Sequence, residues 1–102
     1  MISIIVRNKN EAEFIGFTLQ SCLDFFGTPE IIVVDNNSTD DSLDVVQNFN
    51  NRTNIIIKNN NRYMPGEAIN KGVKFATNDY ILFLSGHAQI INLNFESILQ
   101  VL

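Results

Sequence analysis

Three apolar segments of the sequence each end in polar side chains of the kinds that bind a nucleotide. The first segment is followed by the cations and amides of residues 7–11, and the second by a polar stretch that begins with Asp35. The third ends in a serine, a glycine and His87. Carboxylate and amide groups can read a base, and cations can pair with phosphate. The sequence therefore predicts one ligand site built from three chain segments. Polar residues that only form the turns after buried strands would give the same pattern.

The apolar segments alternate with amphipathic ones, as in βα units. Uncharged, β-branched runs are typical of parallel strands that are covered on both faces. Between them, apolar residues recur at helical spacing. The predicted strands are 2–6, 31–34, 55–57 and 80–84, and the predicted helices are 14–26, 39–48, 67–76 and a last one that includes Phe95, Ile98, Leu99 and Leu102.

Start signals accompany the first two predicted helices. Asn10, with Glu13 three residues later, resembles a capping pair for the first helix. Ser38 is the expected N-cap of the second helix, with Asp40 and Asp41 in its first turn.

The β-α-β-α-β-α-β order predicts an α/β fold. Short crossovers through helices are right-handed and return each strand parallel to its neighbours. We expect a single domain over residues 1–102, with a Rossmann-like parallel sheet in the order 3-2-1-4 flanked by helices. In that order the turns after the first and fourth strands border one crevice, with residues 35–37 beside it.

Composition narrows the class of protein. The chain has 102 residues and a net charge of −4, from 7 basic and 11 acidic side chains, without the basic stripe that nucleic acid requires. No apolar stretch reaches the roughly 20 residues needed to span a bilayer. The single cysteine, Cys22, fits a reducing compartment and the apolar face of a helix. We expect a cytoplasmic location and no nucleic-acid partner.

Four segments, in order and at the usual spacing, resemble the amino-terminal half of family 2 glycosyltransferases of the GT-A fold. They are Ser3 to Glu11, Glu30 to Asp40, Gly66 to Gly72 and Asp79 to Leu84, and they cover nearly the whole chain. The resemblance implies transfer of a sugar from a nucleotide diphosphate donor in glycan or polysaccharide assembly. It also suggests that the protein acts beside a membrane and associates with it peripherally.

The resemblance assigns roles by position. It places the turn 7–11 along the nucleotide, Asp35 and Asn36 at the base, and Asn70 with Gly72 behind the sugar diphosphate. An asparagine at position 36 can still read a uracil or thymine edge. For Asn70, a hydrogen bond within the protein is an equal alternative. The implied nucleotide-sugar contacts are Arg7, Asn8, Lys9, Glu11, Asp35, Asn36, Asn37, Arg62, Asn70 and Ser85.

Three cations lie nearest the predicted crevice. Arg7, Lys9 and Arg62 are candidates to pair with the diphosphate, and each could equally be a solvated surface charge. The loop that carries Arg62 precedes a helix N-terminus, where backbone N–H groups suit an anion.

The turn after the fourth strand departs from the usual family pattern. Family members commonly place Asp-x-Asp there to hold a divalent cation, whereas this chain reads Ser85-Gly86-His87. A branch that resembles rhamnosyltransferases carries histidine at this position. His87 is then the metal ligand, at a site for Mn²⁺ rather than Mg²⁺ or at a weak one, or the group that neutralises the diphosphate directly. A surface histidine in a turn is the remaining alternative.

The resemblance covers only the donor side of the reaction. In the family the catalytic base follows the metal motif, and this chain stops about one helix beyond it. We therefore expect a fragment or an incomplete homologue with little transfer activity of its own. Family members extend the sheet past the fourth strand, so we also expect that edge to drive self-association into a homo-oligomer.

Two other functions share some of these features. A dinucleotide-binding oxidoreductase has an acid after its second strand, but it needs a glycine-rich turn after its first strand, and residues 7–11 contain no glycine. A non-catalytic nucleotide-binding or scaffold module shares every feature of the donor half and stays open as the alternative.

Overall fold

The computed structural model describes residues 1–61, 65–88, 90 and 99–100. Its strands and helices alternate along the chain up to the fourth strand. The strands are β1 (Ile2–Asn8), β2 (Glu30–Asp35), β3 (Asn54–Asn59), β4 (Tyr80–Ser85) and β5 (Leu99–Gln100), and the helices are α1 (Ile15–Phe26), α2 (Ser42–Gln47) and α3 (Pro65–Phe75).

The sheet has the predicted order. Strands β1 to β4 are parallel and lie in the order β3-β2-β1-β4, and β5 adds an antiparallel strand beside β4. The prediction of a last helix is wrong at Leu99 and Gln100, because these residues pair with β4. The other residues of that predicted helix lie outside the described part of the chain.

The two faces of the sheet bury separate apolar clusters. Alternate side chains of a strand point to opposite faces, so Ile4 and Val6 pack against α1 and α2 while Ile5 packs against α3. Cys22 is fully buried in the first cluster, where desolvation raises the pKa of its thiol to about 12. This cysteine is a core residue, as expected.

Both predicted helix caps are wrong. Helix α1 begins at Ile15 after Phe14, without a side-chain cap bond, and Asn10 binds a different loop. Helix α2 begins only at Ser42, with Asp41 at its N-cap position. The predicted stop at Gly27 is confirmed: its φ is 76°, and its N–H donates to a carbonyl of the last turn.

No helix among the described residues is both long and apolar enough to cross a lipid bilayer.

Candidate functional site

The polar ends of β1, β2 and β4 meet at one edge of the sheet. Asn8 lies opposite Asp35 in the β1–β2 register, and Arg7 lies opposite Ser85 in the β1–β4 register. The backbone pairing continues one residue beyond the strands, because Asn36 N donates to Asn8 O at 3.0 Å. The carboxyl ends of three strands therefore form one continuous rim.

Buried hydrogen bonds tie the ends of β1 and β2 together. Asn8 is 0% exposed, and its Nδ2 donates to Asp35 Oδ1 at 2.8 Å and to Ser42 Oγ at 2.9 Å. Ser38 adds two donors to the same carboxylate, its Oγ to Oδ1 at 2.6 Å and its N to Oδ2 at 3.0 Å. These bonds compensate for burying a charge that is only 3% exposed.

A second group of hydrogen bonds fixes the loop after β2 to the turn after β1. Asn10 Oδ1 accepts from Thr39 N at 2.7 Å, and Asp40 Oδ2 accepts from Ala12 N at 3.0 Å. Ser42 Oγ donates to Asp40 Oδ1 at 2.6 Å. We call the six side chains of both groups the carboxyl-end network: Asn8, Asn10, Asp35, Ser38, Asp40 and Ser42.

The carboxyl-end network leaves Asn36 in a different position from Asp35. Both oxygens of Asp35 already accept hydrogen bonds from the protein, and the side chain is buried. Asn36 is half-buried, and its amide makes no hydrogen bond to a described residue. Of the two residues, Asn36 is the one whose side chain is free to meet a ligand.

Arg7 lies on the opposite face of the sheet from Asn8. It lines a shallow cavity of about 160 Å³ together with Ser85 and apolar residues of α3 and β4. Within the described part of the chain its guanidinium makes no hydrogen bond or ion pair. An unpaired, half-buried guanidinium is suited to a phosphate or carboxylate ligand.

The remaining predicted contacts lie on several different elements. Lys9 Nζ donates to Asn37 O at 3.1 Å, and Asn37 adopts a left-handed φ of 48°. Asn70 is exposed on α3 and makes no hydrogen bond to a described residue, so the alternative of a hydrogen bond within the protein is not seen. Gly72 packs α3 closely on Ile5 of β1. Arg62 lies outside the described residues.

His87 meets Glu11 at the same rim. Its Nδ1 lies 3.1 Å from Glu11 Oε2, and its side chain is 63% exposed while that of Glu11 is 23% exposed. The two residues are 76 positions apart in sequence. The structure thus joins the turn after β1 to the turn after β4 through an acid–imidazole pair.

The described residues supply only part of the ligand set that the expected metal ion needs. Among the described residues, no group of three or more His, Cys, Asp or Glu side chains lies close enough to hold an ion. His87 and Glu11 make a pair, bonded to each other. That pair fits a divalent cation only if the donor's own phosphate oxygens complete the coordination.

Sequence reasoning did not predict four members of the carboxyl-end network as site residues: Asn10, Ser38, Asp40 and Ser42. Asn10 was assigned to a helix cap, and Asp40 to the first turn of a helix. The usable signal in the sequence was asparagine in both turns, because asparagine is enriched at left-handed φ, and Asn10 and Asn37 both adopt it in the structure. Asparagines in two turns at one sheet edge indicate a shaped loop pair rather than two helix starts.

Comparison with known proteins assigns the family. The sequence matches Glycosyl transferase family 2 over residues 3–102. It is 35% identical over 85 residues to the UDP-Glc:alpha-D-GlcNAc-diphosphoundecaprenol beta-1,3-glucosyltransferase WfaP of Escherichia coli, a match that covers 82% of this chain and 34% of that protein. The chain thus spans about a third of that relative's length.

Solved structures agree with this match. S. aureus TarS (residues 1–349) superposes with a TM-score of 0.79 at 27% identity, covering 86% of this chain and 28% of that one. TarS has also been solved with UDP and with UDP-GlcNAc. The mannosyltransferase PcManGT of Pyrobaculum calidifontis, solved with GDP-Man and Mn²⁺, shares the fold at 22% identity and a TM-score of 0.77, over 86% of this chain and 28% of its own. The chain belongs to glycosyl transferase family 2.

Proposed function

We propose that this chain is the donor-binding portion of a glycosyltransferase that moves a sugar from a nucleotide diphosphate to an acceptor. The observation that carries the proposal is the meeting of the β1, β2 and β4 ends at one rim in a family 2 chain. We further propose that the isolated 102-residue polypeptide binds donor with little or no transfer, because none of its residues can be named as the base that activates the acceptor.

Uracil is the base we propose for the donor. TarS, at 27% identity, has been solved with UDP and UDP-GlcNAc, and the E. coli relative is named for UDP-Glc. Asn36 reads the base edge, because its amide both accepts and donates. Asp35 acts indirectly: it accepts the hydrogen bonds that hold the loop bearing Asn36.

Arg7 and His87 meet the diphosphate in this proposal. Arg7 is a cation of the rim that makes no hydrogen bond or ion pair to a described residue, and phosphate is a ligand that a guanidinium pairs with strongly. His87 acts there either directly or through a divalent cation shared with the donor phosphates. Lys9, Asn37 and Ser85 complete the rim.

The wider setting follows from the relatives. The name of the E. coli relative gives a lipid-linked acceptor, GlcNAc-diphosphoundecaprenol. We propose that this chain also serves glycan or polysaccharide assembly, in the cytoplasm and peripherally at a membrane. We place it in the rhamnosyltransferase-like branch, because His87 stands where the family commonly has Asp-x-Asp.

Calorimetric titration of the chain tests the proposal. UDP, UDP-GlcNAc, UDP-Glc, GDP and dTDP are titrated with Mn²⁺ and again with a chelator. We expect selective binding of the uridine ligands. Arg7→Ala should weaken UDP binding roughly 10- to 100-fold, which is the contribution of a charge-assisted hydrogen bond of about 1.5–3 kcal/mol.

The matched control is Arg52→Ala. Arg52 stacks over Phe49 in the turn after α2 and is not part of the rim, so its loss should leave UDP affinity unchanged. Absence of binding by every nucleotide would reject the donor site and favour a scaffold module. Sugar transfer by the purified chain would reject the claim that it lacks the catalytic base.

A further inference from the structure

The turn after β4 is held firmly against β1 and α1. Gly86 N donates to Arg7 O at 2.8 Å, and Thr18 Oγ1 donates to Gly86 O at 3.0 Å in the interior. A Cβ at position 86 would lie 3.0 Å from Asn8 Oδ1 and 3.0 Å from Glu11 Cγ, so a larger residue would push these side chains back by a few tenths of an ångström. The backbone that carries His87 is therefore fixed next to Glu11.

The His87 ring is bonded on one side only. Nδ1 is occupied by Glu11 at 3.1 Å, and Nε2 makes no hydrogen bond to a described residue. A hydrogen bond at one ring nitrogen selects the tautomer and the orientation of the ring, which decides what the other nitrogen can do. The carboxylate of Glu11 accepts from Nδ1–H.

We propose that Glu11 is a positioning residue that commits Nδ1 of His87 and thereby presents Nε2 to the donor's diphosphate or to a cation bound with it. This inference rests on the proposed function, since it names the part of the donor that the pair meets. The distance, the fixed turn and the unbonded Nε2 carry it.

The two ligands of Nε2 require different protonation states of the ring. A cation takes the lone pair of a neutral ring whose proton is on Nδ1. A phosphate oxygen needs a proton on Nε2, so the ring then carries both protons while Glu11 still accepts from Nδ1. In each case Glu11 fixes the same nitrogen, and ring ¹⁵N shifts distinguish the two states.

Long-range ¹H–¹⁵N correlation spectra test the positioning role, because His87 is the single histidine of the chain. In the unliganded protein with a neutral ring, we expect the proton on Nδ1. Glu11→Ala should shift the population towards Nε2–H, the form that an unconstrained histidine prefers. Glu11→Gln keeps an acceptor oxygen and should retain the native tautomer. Glu13→Gln, an exposed acid two residues away, should change nothing.

UDP is then added without metal, and afterwards with Mg²⁺. We expect Nε2 to shift far more than Nδ1, and we expect Glu11→Ala to weaken UDP binding about tenfold, as substitutions behind a ligating histidine do. A shift of Nε2 with UDP alone identifies phosphate as its ligand, and a shift that needs Mg²⁺ identifies the cation. Backbone amide spectra verify that each variant is folded.

Two results would overturn the inference. One is a native ring with its proton on Nε2, or a Glu11→Ala variant with an unchanged tautomer. The other is UDP binding that leaves the Nε2 signal unperturbed without metal, with Mg²⁺ and with Mn²⁺, which would broaden that signal by its paramagnetism if it bound there. Failure of UDP to bind native protein whose ring shows the expected tautomer would instead count against the proposed function, so the two failures are distinguishable.

Discussion

The two ends of the sheet carry polar clusters built from similar groups, but they leave different atoms unbonded. At the carboxyl end, Asp35 is buried within the carboxyl-end network. At the amino end, Glu30 accepts from Ser3 Oγ at 2.7 Å and from Thr77 N and Oγ1 at 2.8 Å each. Asn78 Nδ2 donates to Ser3 Oγ at 3.0 Å. We call Ser3, Glu30, Thr77 and Asn78 the amino-end network.

The difference lies in what surrounds each network. The amino-end network bonds its own members and joins β1, β2 and the turn before β4. Around the carboxyl-end network, the side chains of Arg7 and Asn36 and the Nε2 of His87 make no hydrogen bond to a described residue. A carboxylate whose oxygens already accept hydrogen bonds from the protein indicates a structural role at both ends, whereas the unpaired cation, amide and imidazole around the carboxyl-end network indicate a ligand there.

The largest expected effect comes from Asn8→Ala. This substitution removes one of the three hydrogen bonds donated to a carboxylate that is 3% exposed, and it also removes the bond from Asn8 to Ser42 Oγ. We expect a loss of about 3 kcal/mol in the free energy of unfolding, measured by urea denaturation. UDP binding should be lost as well, because the loop after β2 loses its anchor.

Asn78→Ala is the matched change at the amino end. Removing the Asn78 amide leaves the Ser3 hydroxyl donating to Glu30. We therefore expect the free energy of unfolding to fall by only about 1 kcal/mol and UDP affinity to stay unchanged. Equal losses of unfolding free energy in Asn8→Ala and Asn78→Ala would contradict the proposed difference between the two ends.

Gly72→Ala should have the next largest effect. A Cβ at position 72 would overlap Ile5 Cγ2 and lie 2.9 Å from its Cγ1, so either the buried Ile5 side chain or α3 must shift. Overpacking of this kind costs about 1–3 kcal/mol, which thermal or urea unfolding measures. Because α3 borders the cavity that holds Arg7, UDP affinity should fall too.

Gly66→Ala provides the control in the same helix. Nothing lies within 4 Å of a Cβ built there, and alanine is a better helix former than glycine by up to about 1 kcal/mol. Unfolding data should show no loss, or a small gain. A Gly72→Ala variant as stable as Gly66→Ala would contradict the close α3–β1 contact.

The fold was predictable from the sequence to a larger extent than the site. Uncharged runs such as 31–34 can be buried only as interior strands, and right-handed crossovers then limit the strand order to few choices. Leu99 was wrongly predicted as helical, because apolar spacing over a few residues does not separate a strand from a helix.

The site depends on partners that the sequence does not relate to one another. Asn10 and Ser38 were assigned to helix caps, since such side chains bind any nearby free N–H. Asn10 instead binds a loop 29 residues away, and Glu11 binds His87 at a separation of 76. Tertiary contacts of this length have no local sequence signal.

Glu30→Gln tests the amino-end network through pH. Partial desolvation alone would raise the pKa of Glu30, but the hydrogen bonds from Thr77 and Ser3 outweigh it and the pKa is lowered from its usual 4.5. The stabilisation is therefore present above pH 4.5 and lost as pH falls through the folded-state pKa. We expect a loss of roughly 1 kcal/mol at neutral pH, and a flatter acid dependence of the urea midpoint than in the native chain. Parallel acid profiles for native and variant protein would refute this role.

The smallest expected effect is that of Asp40→Asn at the carboxyl end. The Ser42 hydroxyl lowers the pKa of this exposed acid most, against a desolvation effect that raises it, and the N–H groups of Ala12 and Ser42 add to the lowering. Stabilisation is thus present above the usual value of 3.8 and lost below the folded-state pKa. The change in urea midpoint should be smaller than for Glu30→Gln.

Amide hydrogen exchange shows what Asp40 contributes more directly than stability does. In Asp40→Asn, protection should fall at the Ala12 and Ser42 amides, whose acceptor is the Asp40 carboxylate, while the Asn78 amide at the other end is unaffected. Asp41→Asn, the adjacent exposed acid, should leave all three unchanged. If UDP affinity falls together with Ala12 protection, the loop is preorganised for the donor. If Ala12 protection falls and UDP affinity does not, the hydrogen bond from Ala12 to Asp40 orders only the exposed part of the loop. The ligand site then depends on the buried Asn8 and Asp35 instead.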